Sequence, residues 1–201
     1  WLFKEWFEKK VFEDYLQRGK ENLELLYGEI TSQSYEKIFL EYNFSRDGGV
    51  WLPREGNEAV QITGKIDRVE LLSDESLIIT DYKTGSGFQS FDYKWADYMK
   101  IKQWKYHLQL SFYSILFELS PKFKYYQKKK YELFFVERDK KTGDFYKILE
   151  YIQEGEKERT KALIYAVMNK IETLDFPDIS HYPATYDGIR AFEEDLIAGN
   201  I

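Results

Sequence analysis

The chain has 201 residues, with 29 Lys and Arg against 35 Asp and Glu and a formal net charge of −6 at pH 7. Apolar residues make up 43% and aromatic residues 18%, enough for the core of a single folded domain over residues 1–201. That excludes a disordered chain, and the acidic balance argues against a generic nucleic-acid coat. With no cysteine in the sequence, thiolate-held zinc and iron–sulfur centres are excluded, and a reducing, cytoplasmic setting is the expectation. No apolar run approaches the roughly 18 residues a membrane-spanning helix needs, and no signal-peptide pattern is legible.

Residues 1–28 read as a helix, because Phe3, Phe7, Val11, Tyr15 and Leu16 recur near the helical period. Gly19 is a place to kink or split it, and Gly28 a place to end it. The first residue is Trp1 and not Met, which reads as a piece of a longer protein. YEKIFLEYNFS (35–45) alternates like a strand. RDGGVWLPREGNE (46–58) reads as a loop. Strands at 35–45 and 59–71 would then pair as a hairpin with a long tip.

The centre of the sequence is GKIDRVELLSDESLIITDYKTG (64–85). QITGKIDRVELL (61–72) and SLIITDYKT (76–84) are rich in β-branched and aliphatic residues, and polar Ser73, Asp74 and Glu75 separate them. Two strands and a short turn follow. With the turn centred on Asp74, position 67 falls opposite position 81, where Cβ atoms are about 4.5–5.5 Å apart. Asp67 and Asp81 then share a face, and alternation puts Lys83 on it too. A one-residue slip would undo this arrangement.

Facing carboxylates repel, and a divalent cation with a preference for hard oxygen ligands, Mg²⁺ or Mn²⁺, offsets that. The Tyr82 carbonyl could add a ligand, and Lys83 could orient a bound water or help to deprotonate it. Metal, carboxylates and lysine together describe phosphodiester hydrolysis. The spacing leaves a plainer arrangement open, in which Lys83 makes an ordinary ion pair with either aspartate on a half-exposed sheet.

After the hairpin, TGSGFQS (84–90) is a flexible turn without a phosphate-loop lysine. FDYKWADYMK (91–100) reads as a short helix or loop, with Trp95, Tyr98 and Trp104 available either to stack on splayed bases or to pack beneath a loop. IKQWKYHLQLSFYSILFELSP (101–121) is the clearest helix, apolar on most sides and stopped by Pro121. Gln109 and Tyr113 lie one turn apart on one face. His107 near the helix start is taken as incidental, and His181 as structural or exposed. A strand follows at 130–138 and another at 144–151. A helix at 153–173 turns Leu163, Ile164, Val167, Met168 and Ile171 inward, and a short helix at 187–198 closes the chain. Residues 94–130 carry nine lysines against Asp97 and Glu118, a local charge of +7, which hints at a nucleic-acid face.

Asp67 followed by Asp81-Tyr82-Lys83 resembles the PD-(D/E)XK nuclease superfamily. GKIDRVE followed by IITDYKTG is similar to its RecB-type branch, and QLSFY (109–113) resembles that branch's downstream glutamine–leucine–x–x–tyrosine helix motif. The resemblance covers roughly residues 15–140. It implies an α/β, restriction-endonuclease-like core, a central mixed sheet flanked by helices. It implies metal-dependent DNA cleavage with Asp67, Asp81 and the Tyr82 carbonyl on Mg²⁺ or Mn²⁺, Lys83 as the catalytic lysine, and Gln109 and Tyr113 as accessory residues. The branch lies C-terminal to a UvrD-type helicase or in a helicase–nuclease partner subunit, so the expected role is an exonuclease on single-stranded DNA ends in repair or recombination. Glu36 resembles the family's glutamate in the preceding strand. One departure stands out: the branch's early-helix histidine falls at Leu23; Glu21 or Glu24 on the same helix could substitute, and without the histidine metal binding could be weaker or activity lost. The alternative reading is a catalytically inactive nuclease-fold module for DNA binding or subunit docking.

Overall fold

The computed structural model describes residues 8–31, 35–56, 58–85, 87–94, 96–139 and 141–201. Phe3, Phe7 and Trp95 lie outside the described residues. Five strands form a mixed sheet in the order β1 (Lys37–Asn43), β4 (Lys65–Leu71), β5 (Leu77–Lys83), β6 (Lys129–Arg138) and β7 (Phe145–Glu150). Neighbours are antiparallel except β5 and β6, which run parallel. A parallel pair needs a crossover connection, and α2 (Asp97–Leu119) supplies it. α1 (Lys9–Thr31) lies against β6, while α3 (Glu154–Thr173) and α4 (Tyr186–Ala198) pack on α2. The fold is the α/β, helix-flanked mixed sheet of restriction-endonuclease-like proteins.

Alternation sorts the central strands. Leu77, Ile79, Asp81 and Lys83 point to the α2 side of β5, together with Val69 of β4. Leu77, Ile79 and Val69 are fully buried against Leu110, Ile115 and Phe117 of α2. The apolar row therefore ends in Asp81 and Lys83, where β5 reaches the edge of the core. The other face carries Arg68, Glu70, Thr80 and Tyr82. Arg68 and Glu70 form a buried ion pair, Arg68 Nη1 donates to the Tyr82 hydroxyl at 3.1 Å, and Thr80 donates to Glu132 at 3.0 Å.

Some expected boundaries are corrected. α1 runs unbroken through Gly19 and Gly28. A Cβ at either position would meet nothing within 4 Å, so each glycine costs only its propensity, about 1 kcal/mol. The loop at 46–58 holds half of a small antiparallel hairpin, β2 (Val50–Leu52) with β3 (Val60–Ile62). Val50, Leu52, Val60 and Ile62 are buried around Phe44, and three-residue strands are too short for their alternation to be read in advance. α3 departs most. Among its residues Thr160 alone is buried, and Val167 and Ile171 are 41% and 48% exposed. Ile164 and Met168 pack partly buried against the core, as expected, while Leu163, Ile164, Val167 and Met168 also line an open cleft.

Candidate active site

The turn sets the site's geometry. Asp74 accepts from the Ser76 N–H at 3.1 Å and the Ser76 hydroxyl at 2.6 Å. Leu72 N–H donates to the Ser76 carbonyl at 3.0 Å. The resulting pairs are Leu71 with Leu77, Glu70 with Ile78, Val69 with Ile79 and Arg68 with Thr80, all centred on Asp74. The next positions along are Asp67 and Asp81. There the Asp67 carboxylate Oδ2 accepts the Tyr82 N–H at 2.8 Å, so a side chain takes over a main-chain donor at the open end of the hairpin.

Asp81 is 5% exposed and its two oxygens differ. Oδ1 accepts from the Tyr113 hydroxyl at 2.7 Å and from Gln109 Nε2 at 3.0 Å. Oδ2 lies 2.5 Å from the Lys83 ammonium. That charge contact lacks the alignment of a hydrogen bond, and this buried oxygen has no hydrogen-bond donor among the described residues. Lys83 donates instead to Gln109 Oε1 at 2.6 Å, and its ammonium sits 4.5 Å from the centre of the Tyr106 ring. Gln109 Nε2 also reaches the Tyr113 hydroxyl at 2.6 Å. Asp81, Lys83, Gln109 and Tyr113 thus close a ring of polar contacts, which satisfies a glutamine carried on a mostly buried helix.

Electrostatics assigns protons within this ring. Burial, followed by the charge of Asp81 and the hydrogen bond to it, pushes the Tyr113 phenol well above its ordinary range. Tyr113 therefore stays a donor. Burial raises Asp67 above the usual carboxylate value; the Tyr82 N–H opposes this, and the charges of Asp81 and Glu41 add to it. Burial and the Asp81 charge also raise the Tyr106 phenol.

The donor set fits a hard divalent cation. Asp81 Oδ2 is buried without a hydrogen bond, and Asp67 Oδ1 has no hydrogen-bond donor among the described residues. Two carboxylates in each other's field are a site for positive charge. No group of three or more His, Cys, Asp or Glu side chains stands together among the described residues, so a third protein ligand would be a main-chain oxygen such as the Tyr82 carbonyl.

The structure brings together Asp67, Asp81, Tyr82, Lys83, Gln109 and Tyr113. It does not bring Glu36, whose N–H bonds the Leu71 carbonyl at the opposite end of β4. The glutamate beside Asp67 is Glu41. It falls opposite Asp67 in the β1–β4 register, between the Leu40–Arg68 and Tyr42–Ile66 pairs. Its φ of 51° is one that a residue with a Cβ rarely adopts, and it pairs with Lys65. Only the register, which depends on both turns, could have singled it out. On α1, Leu23 is exposed and lines a groove with Thr84 and Val136, while Glu21 accepts from Gln17 at 2.9 Å. His107 faces away from the ring, contacting Glu156 at 3.0 Å and Tyr93 at 3.3 Å. Trp104 is taken by Glu193, to which its indole N–H donates at 3.0 Å; Tyr98 remains exposed. The basic segment is divided. Lys105 stands beside the ring. Lys129 pairs with Leu77, at the far end of β5 from Lys83, which six residues of strand place about 20 Å away.

A mixed sheet whose central hairpin ends in two aspartates and a lysine, with a helix closing over them, defines a nuclease-type α/β protein. A family model described as the PD-(D/E)XK nuclease superfamily matches residues 2–186, and the chain belongs to that superfamily, whose members typically use divalent metal ions. No curated protein sequence matches the chain. Among solved structures, that of SSO0001 is similar at 16% identity and a TM-score of 0.37, covering 83% of this chain and 60% of that one.

Proposed function

We propose that the chain is a Mg²⁺- or Mn²⁺-dependent deoxyribonuclease of the RecB-type branch that acts on single-stranded DNA ends. The observation that carries this reading is the polar ring joining Asp81, Lys83, Gln109 and Tyr113, with Asp67 next in register. Asp67 and Asp81, with the Tyr82 carbonyl, would hold the metal, which when bound supplies a nucleophile near neutral pH and charge stabilisation for the phosphoryl group. Tyr113 and Gln109 hold Asp81 Oδ1, and so keep Oδ2 turned towards the metal position. Lys83 orients the attacking water and stabilises charge that develops on the phosphate oxygens. Gln109 Oε1 keeps the Lys83 ammonium beside Asp81.

The wider setting belongs to the same proposal: a role in DNA repair or recombination, a UvrD-type helicase in the same chain or in a partner subunit, and a cytoplasmic location. No helix among the described residues is long and apolar enough to cross a membrane. Leu23 on α1, where the branch carries a histidine, favours the second reading, an inactive nuclease-fold module that binds DNA or docks a subunit. Cleavage of single- and double-stranded DNA, labelled at either end, with each metal separates the two. Shortening of single strands from an end supports the first. Binding without cleavage under every metal, with the helicase part present as well as absent, supports the second.

A further inference from the structure

A cleft of about 810 Å³ opens beside the polar ring, between α2 and α3. Its composition is two-sided. Lys83, Gln109 and the exposed Lys105 stand at one side. Apart from Tyr82, Thr84 and Thr160 the rest is mainly apolar, with Tyr106 and Phe112 on the α2 wall and Leu163 and Val167 on the α3 wall. The size and the mainly apolar lining are those of a small-molecule pocket. The α3 stripe that forms this wall has the spacing of a core-facing helix, yet no member of it is buried. The apolar surface is continuous with the ring, because Lys83 and Gln109 belong to both.

From this we infer that the cleft takes one unstacked nucleobase of the strand being cut, and so selects single-stranded over duplex nucleic acid. The inference rests on the nuclease reading above. A phosphodiester placed at Lys83, with Lys105 beside it, carries its nucleoside one short linkage away. An apolar wall that includes aromatic rings is the surface on which a base gains stacking energy, and every base has a face to offer. A paired base in a duplex is held inside its own stack and has to be flipped out first, at a cost of several kcal/mol. Charge complementarity fixes the orientation: phosphate against the lysines, base in the apolar cleft against the Tyr106 and Phe112 wall.

The first arm of the test is made on the substrate side, where protein folding is not at issue. Single-stranded oligonucleotides with one abasic residue walked along the sequence are measured for binding without divalent metal, and for cleavage with Mg²⁺ or Mn²⁺. One position, next to the cleaved linkage, should weaken binding about 5- to 150-fold, which corresponds to the 1–3 kcal/mol of one stacked base. Val167→Asp, at an exposed edge of the cleft, should weaken binding of the intact strand and erase the difference between intact and abasic strands. Intact DNA bound and cut with no abasic position mattering would overturn the base pocket and leave the nuclease standing. An abasic effect that persists in Val167→Asp would place the base elsewhere and also overturn it. Absence of both binding and cutting would remove the nuclease reading and the pocket with it.

Discussion

At Asp81 the hydrogen-bond pattern distinguishes two oxygens that the sequence cannot tell apart. Oδ1 is saturated by Tyr113 and Gln109, and Oδ2 is left with the Lys83 charge alone. Beside it, burial and the repulsion of Asp81 both work against the ionised form of Asp67, and the Tyr82 N–H partly offsets them. Its folded pKa lies above the unfolded value near 3.8. The stability it contributes is therefore fully present below that value and is lost as pH rises through the raised folded one. In metal-free protein at pH 7, Asp67→Asn should raise stability, because it replaces a carboxyl whose ionisation burial and Asp81 oppose and keeps an acceptor for the Tyr82 N–H. The sign reverses with metal. At a hundredfold excess over Kd, Mg²⁺ or Mn²⁺ should stabilise the native protein by about 2.7 kcal/mol, a melting shift of about 5–10 °C for a chain of this size. Asp67→Asn should lose most of that shift. Thermal melts of both proteins with and without metal measure it, and an equal shift in the two would remove Asp67 from the metal site.

On the scale of elements, the hairpin register governs the site, and the far side of the sheet holds that register in place. Arg68, next to Asp67 in sequence, bonds Glu70 and the Tyr82 hydroxyl, and Tyr82 stands between Asp81 and Lys83. The Arg68 and Glu70 side chains are 5% and 3% exposed. Removing one member of such a buried pair leaves an uncompensated charge and costs about 3–5 kcal/mol. Arg68→Ala should lower the unfolding free energy by that much, read as a lower denaturant midpoint at an unchanged m-value; a loss under about 1 kcal/mol would show that this network does not hold the strands together. The register itself was legible from the sequence, because Asp74 sits in a turn short enough to fix the pairing by subtraction. So were β6, β7 and the three helices after the hairpin, whose periodicity is long. The β2–β3 hairpin and Glu41 were not legible, since three-residue strands carry too little pattern and the β1–β4 register spans a long connection. α3 was legible in part: Ile164 and Met168 pack against the core as its stripe specifies, but Val167 and Ile171 are exposed, because an apolar stripe does not fix how much of a helix face the core covers.

Across the whole molecule, charge and chemistry are arranged differently than the linear sequence suggests. The lysines of 94–130 are contiguous in sequence, but the parallel β5–β6 pairing sends Lys129 and its neighbours to the end of the sheet away from Lys83. Lys105 stands at the site, and Lys128 pairs with Asp74 at the hairpin turn. Lys105→Ala should therefore reduce the salt dependence of single-strand binding, lowering the slope of log K against log salt by about 0.7. Lys128→Ala should leave that slope unchanged, and titrations at several salt concentrations compare the two. An effect at Lys128 equal to that at Lys105 would mean that the strand also runs over the far end of the sheet. Composition predicted the existence of a basic region, but only the crossover topology determines which part of it meets the site.

The most direct measurement is cleavage of end-labelled single-stranded DNA with Mg²⁺ or Mn²⁺ by wild-type protein, Asp81→Ala and Lys83→Ala. Metal-dependent cutting by the wild type that falls at least a hundredfold in both variants, about 2.7 kcal/mol of transition-state stabilisation, is the predicted result. Cutting that survives both substitutions would place the chemistry outside the β4–β5 hairpin and contradict the account.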